Sequence, residues 1–172
     1  CVIVDAKTFE TVGRVDKLPD ADNVRYDAAD GLLYCGYGEG ALAVIDARTS
    51  KLVKAIELAG HPESFQLETK GPRIFVNVPD ARGGAQVAVV DRKAGKVIST
   101  WKLSDATANF PMALDEANHR LFIGCRKPAR LLVLDTESGR QVTSIACVGD
   151  ADDVFYSPSS RRIYVSGGEG AV

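Results

Sequence analysis

Carboxylates in two near-identical phrases are the side chains of this 172-residue chain best placed to do chemistry. Asp-Ala-Asp-Asn at 20–23 and Asp-Ala-Asp-Asp at 150–153 offer the hard oxygen donors that a Ca²⁺ ion takes. Asp22, Asp152 and Asp153 are its carboxylate candidates, and Asn23 and Asn109 could add neutral oxygens. Against this, Asp and Asn open turns because they bond to nearby backbone and stay solvated, a reading that needs no ion. His61 stands in Gly-His-Pro-Glu, where Glu63 could orient the imidazole as a general base. The alternative is a loop imidazole beside a rigid proline. Cys1, Cys35, Cys125 and Cys147 have no Cys-x-x-Cys spacing and no histidine near them. That argues against zinc or redox chemistry and for small apolar core residues. No serine elbow, phosphate loop or dinucleotide fingerprint occurs, and Gly-Tyr-Gly-Glu-Gly at 36–40 opens no helix. No catalytic residue is assigned.

Four further aspartates, Asp5, Asp46, Asp91 and Asp135, look like a carboxylate constellation until their spacing is counted. Each closes an apolar run, Val-Ile-Val, Ala-Val-Ile, Ala-Val-Val or Leu-Val-Leu, and they lie 41, 45 and 44 residues apart. Each also precedes a hairpin, where an Asp side chain accepts backbone N–H bonds. A second series keeps the same period. Aromatics recur at Tyr34, Phe75, Phe122 and Tyr164, each ten residues after an apolar anchor at Val24, Phe65, Met112 or Val154. Residues 23–58 contain four short β-rich runs split by turn residues, and no segment has a helical period. Four antiparallel strands in about 43 residues is the pattern of a propeller blade. Blades are covered on both faces, so their strands are continuously apolar rather than alternating.

The repeat resembles the YVTN-type (YncE-like) β-propeller family. The match is best at Gly60–Leu103, with its Gly-x-Pro lead-in, Ile-Phe-Val-Asn strand, Val-Val-Asp strand and Gly-Lys-Val strand, and it extends along the whole chain. Departures are Cys35 and Ile123 for the signature Val, and Gly36, Gly124 and Ser166 for the signature Asn. The resemblance implies an all-β propeller of four-stranded antiparallel blades. The expected organisation is one propeller domain or segment over 1–172, with units at 1–19 (partial), 20–60, 61–107, 108–150 and 151–172 (partial). First and last residues fall at the same point of the repeat, splitting one blade. Three arrangements complete it: part of a longer, seven-bladed chain, closure by partner chains, or self-closure as four blades. Family members are mostly extracytoplasmic or surface proteins that present ligand- or partner-binding faces, which implies a periplasmic or secreted setting; some related propellers are redox subunits.

A formal charge of −2 supplies no global field toward nucleic acid, although the sign is expected to divide between the two ends of the propeller. One loop face collects Asp20, Asp22, Asn23, Glu39, His61, Glu63, Asn109, Asp150, Asp152, Asp153 and Glu169 around the channel. Arg126 and Lys127 form a basic loop within it, suited to a phosphate or an acidic partner unless it is only a solvated tip. The opposite face gathers Lys7, Arg48, Lys51, Lys70, Arg73, Arg92 and further cations. Two function classes follow. One is a non-catalytic module that binds a protein or small molecule at the acidic face. The other is an enzyme or enzyme subunit, either a lactonase-like hydrolase with a channel cation or a redox subunit with a partner-supplied cofactor. No cofactor is read from a motif, and Ca²⁺ is the one ion the mouth would suit.

Overall fold

The structure, a computed structural model, describes residues 1–170. Ala171 and Val172, with which the sequence opens another third strand, lie outside the described residues. Two short strands, β1 (Val2–Val4) and β2 (Thr11–Arg14), pair as a two-stranded sheet. Three four-stranded blades follow. The first is β3 (Val24–Asp27), β4 (Leu32–Tyr37), β5 (Ala41–Asp46) and β6 (Lys51–Glu57); the second is β7 (Phe65–Leu67), β8 (Arg73–Val78), β9 (Gln86–Asp91) and β10 (Lys96–Lys102). The third is β11 (Thr107–Asp115), β12 (Arg120–Lys127), β13 (Ala129–Asp135) and β14 (Gln141–Ala146), and a last pair, β15 (Ala151–Ser157) and β16 (Arg162–Gly167), ends it. Every pairing is antiparallel between neighbours in sequence. The molecule is an all-β propeller of four-stranded antiparallel blades.

Strand alternation explains why the runs are apolar at every position. In the first blade Tyr34, Leu42 and Val44 face the second blade, while Cys35, Ala43 and Ile45 face the β1–β2 sheet. In the second blade Ile74, Val76 and Val90 face back, and Phe75, Val87 and Val89 face forward onto Met112, Leu121 and Ile123. The period-two pleat thus feeds a separate core on each side of one sheet. The recurring aromatic always packs forward: Tyr34, Phe75 and Phe122 are buried against the next sheet, each burial worth about 1.5–3 kcal/mol. Tyr164, the fourth of the series, is 42% exposed beside Phe155 at 61%. Trp101 packs beside Phe75, ring centroids 5.5 Å apart.

The four periodic aspartates cap the outer hairpins, as their spacing predicts. Asp5 accepts from the N–H of Lys7 and Thr8 at 2.8 and 2.9 Å, and Asp46 from Arg48 and Thr49 at 3.0 and 2.7 Å. Asp91 accepts from Ala94 at 2.9 Å, and Asp135 from Glu137 and Ser138 at 3.2 and 2.9 Å. These bonds hold the carboxylates of Asp5 and Asp46 below their ordinary pKa, and for Asp135 the Ser138 hydroxyl does most of it. Cys35 and Cys125 are fully buried in blade cores, and burial pushes the Cys125 thiol up to about 12. No helix among the described residues is long and apolar enough to cross a membrane.

Candidate functional site

The site is built from one feature repeated four times. Just before each inner-strand anchor lie two residues that the fold brings to the channel mouth: Asp22–Asn23, Glu63–Ser64, Phe110–Pro111 and Asp152–Asp153. The first two loops are clamped to the second strand of their blade in the same way. Asp22 N–H donates to Gly36 O and Glu63 N–H to Asn77 O, both at 2.9 Å; Gly36 and Asn77 return bonds to Asn23 O and Ser64 O, both at 3.0 Å. Asn77, the signature Asn of the best-matching repeat, also reaches the next blade, donating to Phe110 O at 3.0 Å. Where Gly36 replaces that Asn, a side chain there would meet Pro62 of the next loop. The signature position therefore sets how one blade receives the next.

These eight residues, with Arg25 and Arg126, enclose a cleft of about 610 Å³. Six of the thirteen residues that the sequence assigned to the face meet here: Asp22, Asn23, Glu63, Arg126, Asp152 and Asp153. Arg126 lies over the Phe110 ring at 4.6 Å and reaches forward to Asp150 at 3.0 Å and Asp152 at 2.8 Å. The basic loop thus finds its acidic partner within the chain. Arg25 behaves differently. Its guanidinium sits over the Phe65 ring at 5.6 Å and donates only to its own Val24 carbonyl, with no carboxylate within 4 Å among the described residues. Burial lowers its pKa, against the pull of Asp153 and Asp22. Burial and then the neighbouring Asp22 charge raise the Glu63 pKa, with His61 and Arg126 acting the other way. The mouth is therefore mixed in charge rather than simply acidic.

The other assigned residues lie elsewhere. Asn109 is withdrawn from the face: it lies in β11, opposite Cys125, and is fully buried, donating across to the second blade at Asn77 Oδ1 (2.9 Å) and Gln86 O (3.0 Å). Glu39 and His61 line a separate hollow with Asp80 and Arg82. There His61 Nδ1 lies 2.6 Å from Gly38 O and 3.6 Å from Asp20, so the carboxylate beside Nδ1 is Asp20, where the sequence named Glu63. Glu169 accepts from Gly149 N–H at 3.1 Å, and Lys127 is exposed beside a cis Lys127–Pro128 bond. Of the donors proposed for a cation, Asp22, Asn23, Asp152 and Asp153 line the cleft and Asn109 does not. Asp152 is turned to Arg126 and Asp153 to the Val154 N–H, and among the described residues no group of three His, Cys, Asp or Glu side chains could hold a metal ion.

Sequence reasoning missed Arg25, Ser64, Phe110 and Pro111. The available signal was a break in the repeat. The position of Arg25 holds Gln66, Ala113 and Phe155 in the other units, and the place of the lead-in acid holds Phe110 in one.

No protein-family model matches the chain. It is similar to the uncharacterized protein YncE of Salmonella typhi, 31% identical over 179 residues, covering 95% of this chain and 49% of that one. The YncE protein of Escherichia coli K12 is 30% identical over 159 residues, covering 83% of this chain and 44% of its own. The chain spans about half the length of the curated relatives it matches. Among solved structures, Kuenenia stuttgartiensis hydrazine synthase superposes with a TM-score of 0.86 at 19% identity, covering 95% of this chain and 48% of that one. That likeness is one of fold.

Proposed function

As the chain is built from YncE-like β-propeller repeats, we propose that it is a non-catalytic binding module that holds a polar ligand in the channel-mouth cleft. One observation carries the reading. Lead-in residues of four successive repeats, more than 120 residues apart in sequence, line a single hollow of about 610 Å³, and three of the four bring carboxylates to it. That volume is in the usual range for small-molecule sites. The one hydroxyl of the lining, Ser64, has no histidine among the lining residues to activate it, which favours binding over serine-based acyl transfer. Further blades, from the same polypeptide or a second chain, complete the rim in this reading.

A thermal-shift screen of small polar compounds tests it, run on the full chain and on the Asp22→Asn/Glu63→Gln double variant. The expected result is a stabilising compound whose effect disappears in the variant. Stabilisation that survives the double variant, but is lost on changing Glu39 or Asp80 in the neighbouring hollow, would place binding elsewhere and end the proposal.

A further inference from the structure

The charges of the cleft divide into those already satisfied and those left free. Arg126 is fully engaged: Nε donates to Ala151 O, one Nη faces Asp150, the other Asp152, and its flat face covers Phe110. Those contacts also occupy Asp152, and Asp153 is held by the Val154 N–H. Asp22 receives only its neighbour's amide, Asn23 Nδ2 at 3.2 Å, and Glu63 has no side-chain hydrogen bond or ion pair among the described residues. Arg25 is the complementary free group. It also lines two further hollows along the inner strands, one with Tyr26, Gln66 and Arg92 and the other with Met112, Asp153 and Phe155. It therefore stands at the inner wall of the mouth. Among the described residues Arg25 is thus left without an ion pair, beside two carboxylates, Asp22 and Glu63, that neither a cation nor a backbone N–H holds.

Resting on the binding reading above, we propose that the cleft selects a basic α-amino acid. Its carboxylate pairs with the Arg25 guanidinium, and its two cationic groups meet Asp22 and Glu63. The physical logic is reciprocal desolvation. Arg25 and Glu63 are each held where burial disfavours their charge, and a ligand of opposite pattern relieves both at once. A diamine would satisfy the carboxylates and leave Arg25 alone, and a dicarboxylate would do the reverse. A neutral amino acid has one cation for two acids. Arg25 supplies a planar fork that matches a carboxylate with two parallel bonds, the geometry that makes such pairs selective.

Titration calorimetry on the full chain with L-lysine, L-arginine, L-alanine, cadaverine and succinate tests the assignment. L-Lysine or L-arginine is expected to bind at least about tenfold more tightly than cadaverine, alanine or succinate, a gap of about 1.4 kcal/mol. Arg25→Gln should remove that advantage over cadaverine without weakening cadaverine itself, and Glu63→Gln should weaken lysine and cadaverine together. Near-UV circular dichroism checks that both variants keep the native packing. Cadaverine binding as well as lysine, with Arg25→Gln altering neither, overturns the amino-acid assignment and leaves the cleft as a cation-binding site. Preference for succinate or alanine overturns it in the same way. Binding of any of the five that ignores Arg25, Asp22 and Glu63 alike overturns the cleft reading as well, and binding of none overturns the assignment.

Discussion

At the hairpin end of the propeller, Arg92 of the second blade pairs with Asp27 of the first and donates to Glu68 O and Gly71 O. Arg73 donates to Glu68 at 2.6 and 2.9 Å, then reaches the third blade at Glu137 and at Thr136 O, both 2.6 Å. Glu116 of the third blade reaches back, accepting from the N–H groups of Thr69 and Lys70 at 2.9 and 2.8 Å. At the mouth, Arg25 and Glu63 are half-buried and have no such partners among the described residues. The same residue types are spent on joining blades at one end and left unengaged at the other. Charges left without partners at the mouth are what the proposed binding role requires.

Removing the two arginines in turn gives the widest test of that contrast. Arg92→Ala strands Asp27, which is only 7% exposed, as a buried uncompensated carboxylate. The expected loss in chemical denaturation is about 3–5 kcal/mol. Arg25→Gln removes a charge that nothing pairs and should change stability by no more than about 0.5 kcal/mol. Equal losses from the two would abolish the distinction between the ends.

This division of labour was only half legible in the sequence. The blade period, the recurrence of the aromatics and the aspartate caps are all readable because each repeats at a fixed place in every unit; Asp46 reaches only to Arg48 and Thr49. The ionic pairs that join blades are not of this kind. Arg92 and Asp27 are 65 residues apart, and Arg73 and Glu137 are 64 apart. A linear reading therefore counted Arg73 and Arg92 as part of a basic face, although their partners neutralise them in place. The mouth shows the same limit. Its acids were readable as turn-opening residues, but Arg25 enters from the inner strand, and Asn109, identical in type to the half-buried Asn23, is buried by its meeting with Asn77.

The hairpin end also holds one place where the repeats disagree, and it separates local turn geometry from the ionic joins. Phe9, Ser50, Gly95 and Gly139 occupy the same left-handed turn position, at φ of 60, 55, 66 and 69°. Glycine adopts that conformation freely, and a phenylalanine does not. Phe9 gains nothing in return from burial, being 80% exposed. Phe9→Gly is expected to stabilise the chain by about 0.5–1 kcal/mol, the relief of left-handed strain less the added freedom of the unfolded chain. A loss on the same denaturation curve would mean that this ring serves the hairpin end as packing, despite its exposure.

The smallest effect belongs to Glu63, and its sign is the most informative. Burial and the Asp22 charge raise its pKa above the ordinary 4.5, so the folded chain holds the proton more tightly than the unfolded one. Stability from this group is complete below the ordinary value and is lost as pH rises through the folded one. At neutral pH the ionised side chain is thus a liability, and Glu63→Gln should stabilise the free protein by less than about 1 kcal/mol, with the gain vanishing near pH 4. At the hairpin end, Asp27→Asn should instead destabilise the chain, since removing the charge there leaves Arg92 unmatched. Saturating lysine should reverse the mouth result, because the carboxylate that weakens the empty cleft then holds a cation. Thermal melts at pH 4 and pH 7, with and without lysine, read all of these signs. A Glu63→Gln variant that is less stable than the parent at pH 7 without ligand would show that the mouth charges, like those at the other end, are there to hold the blades together.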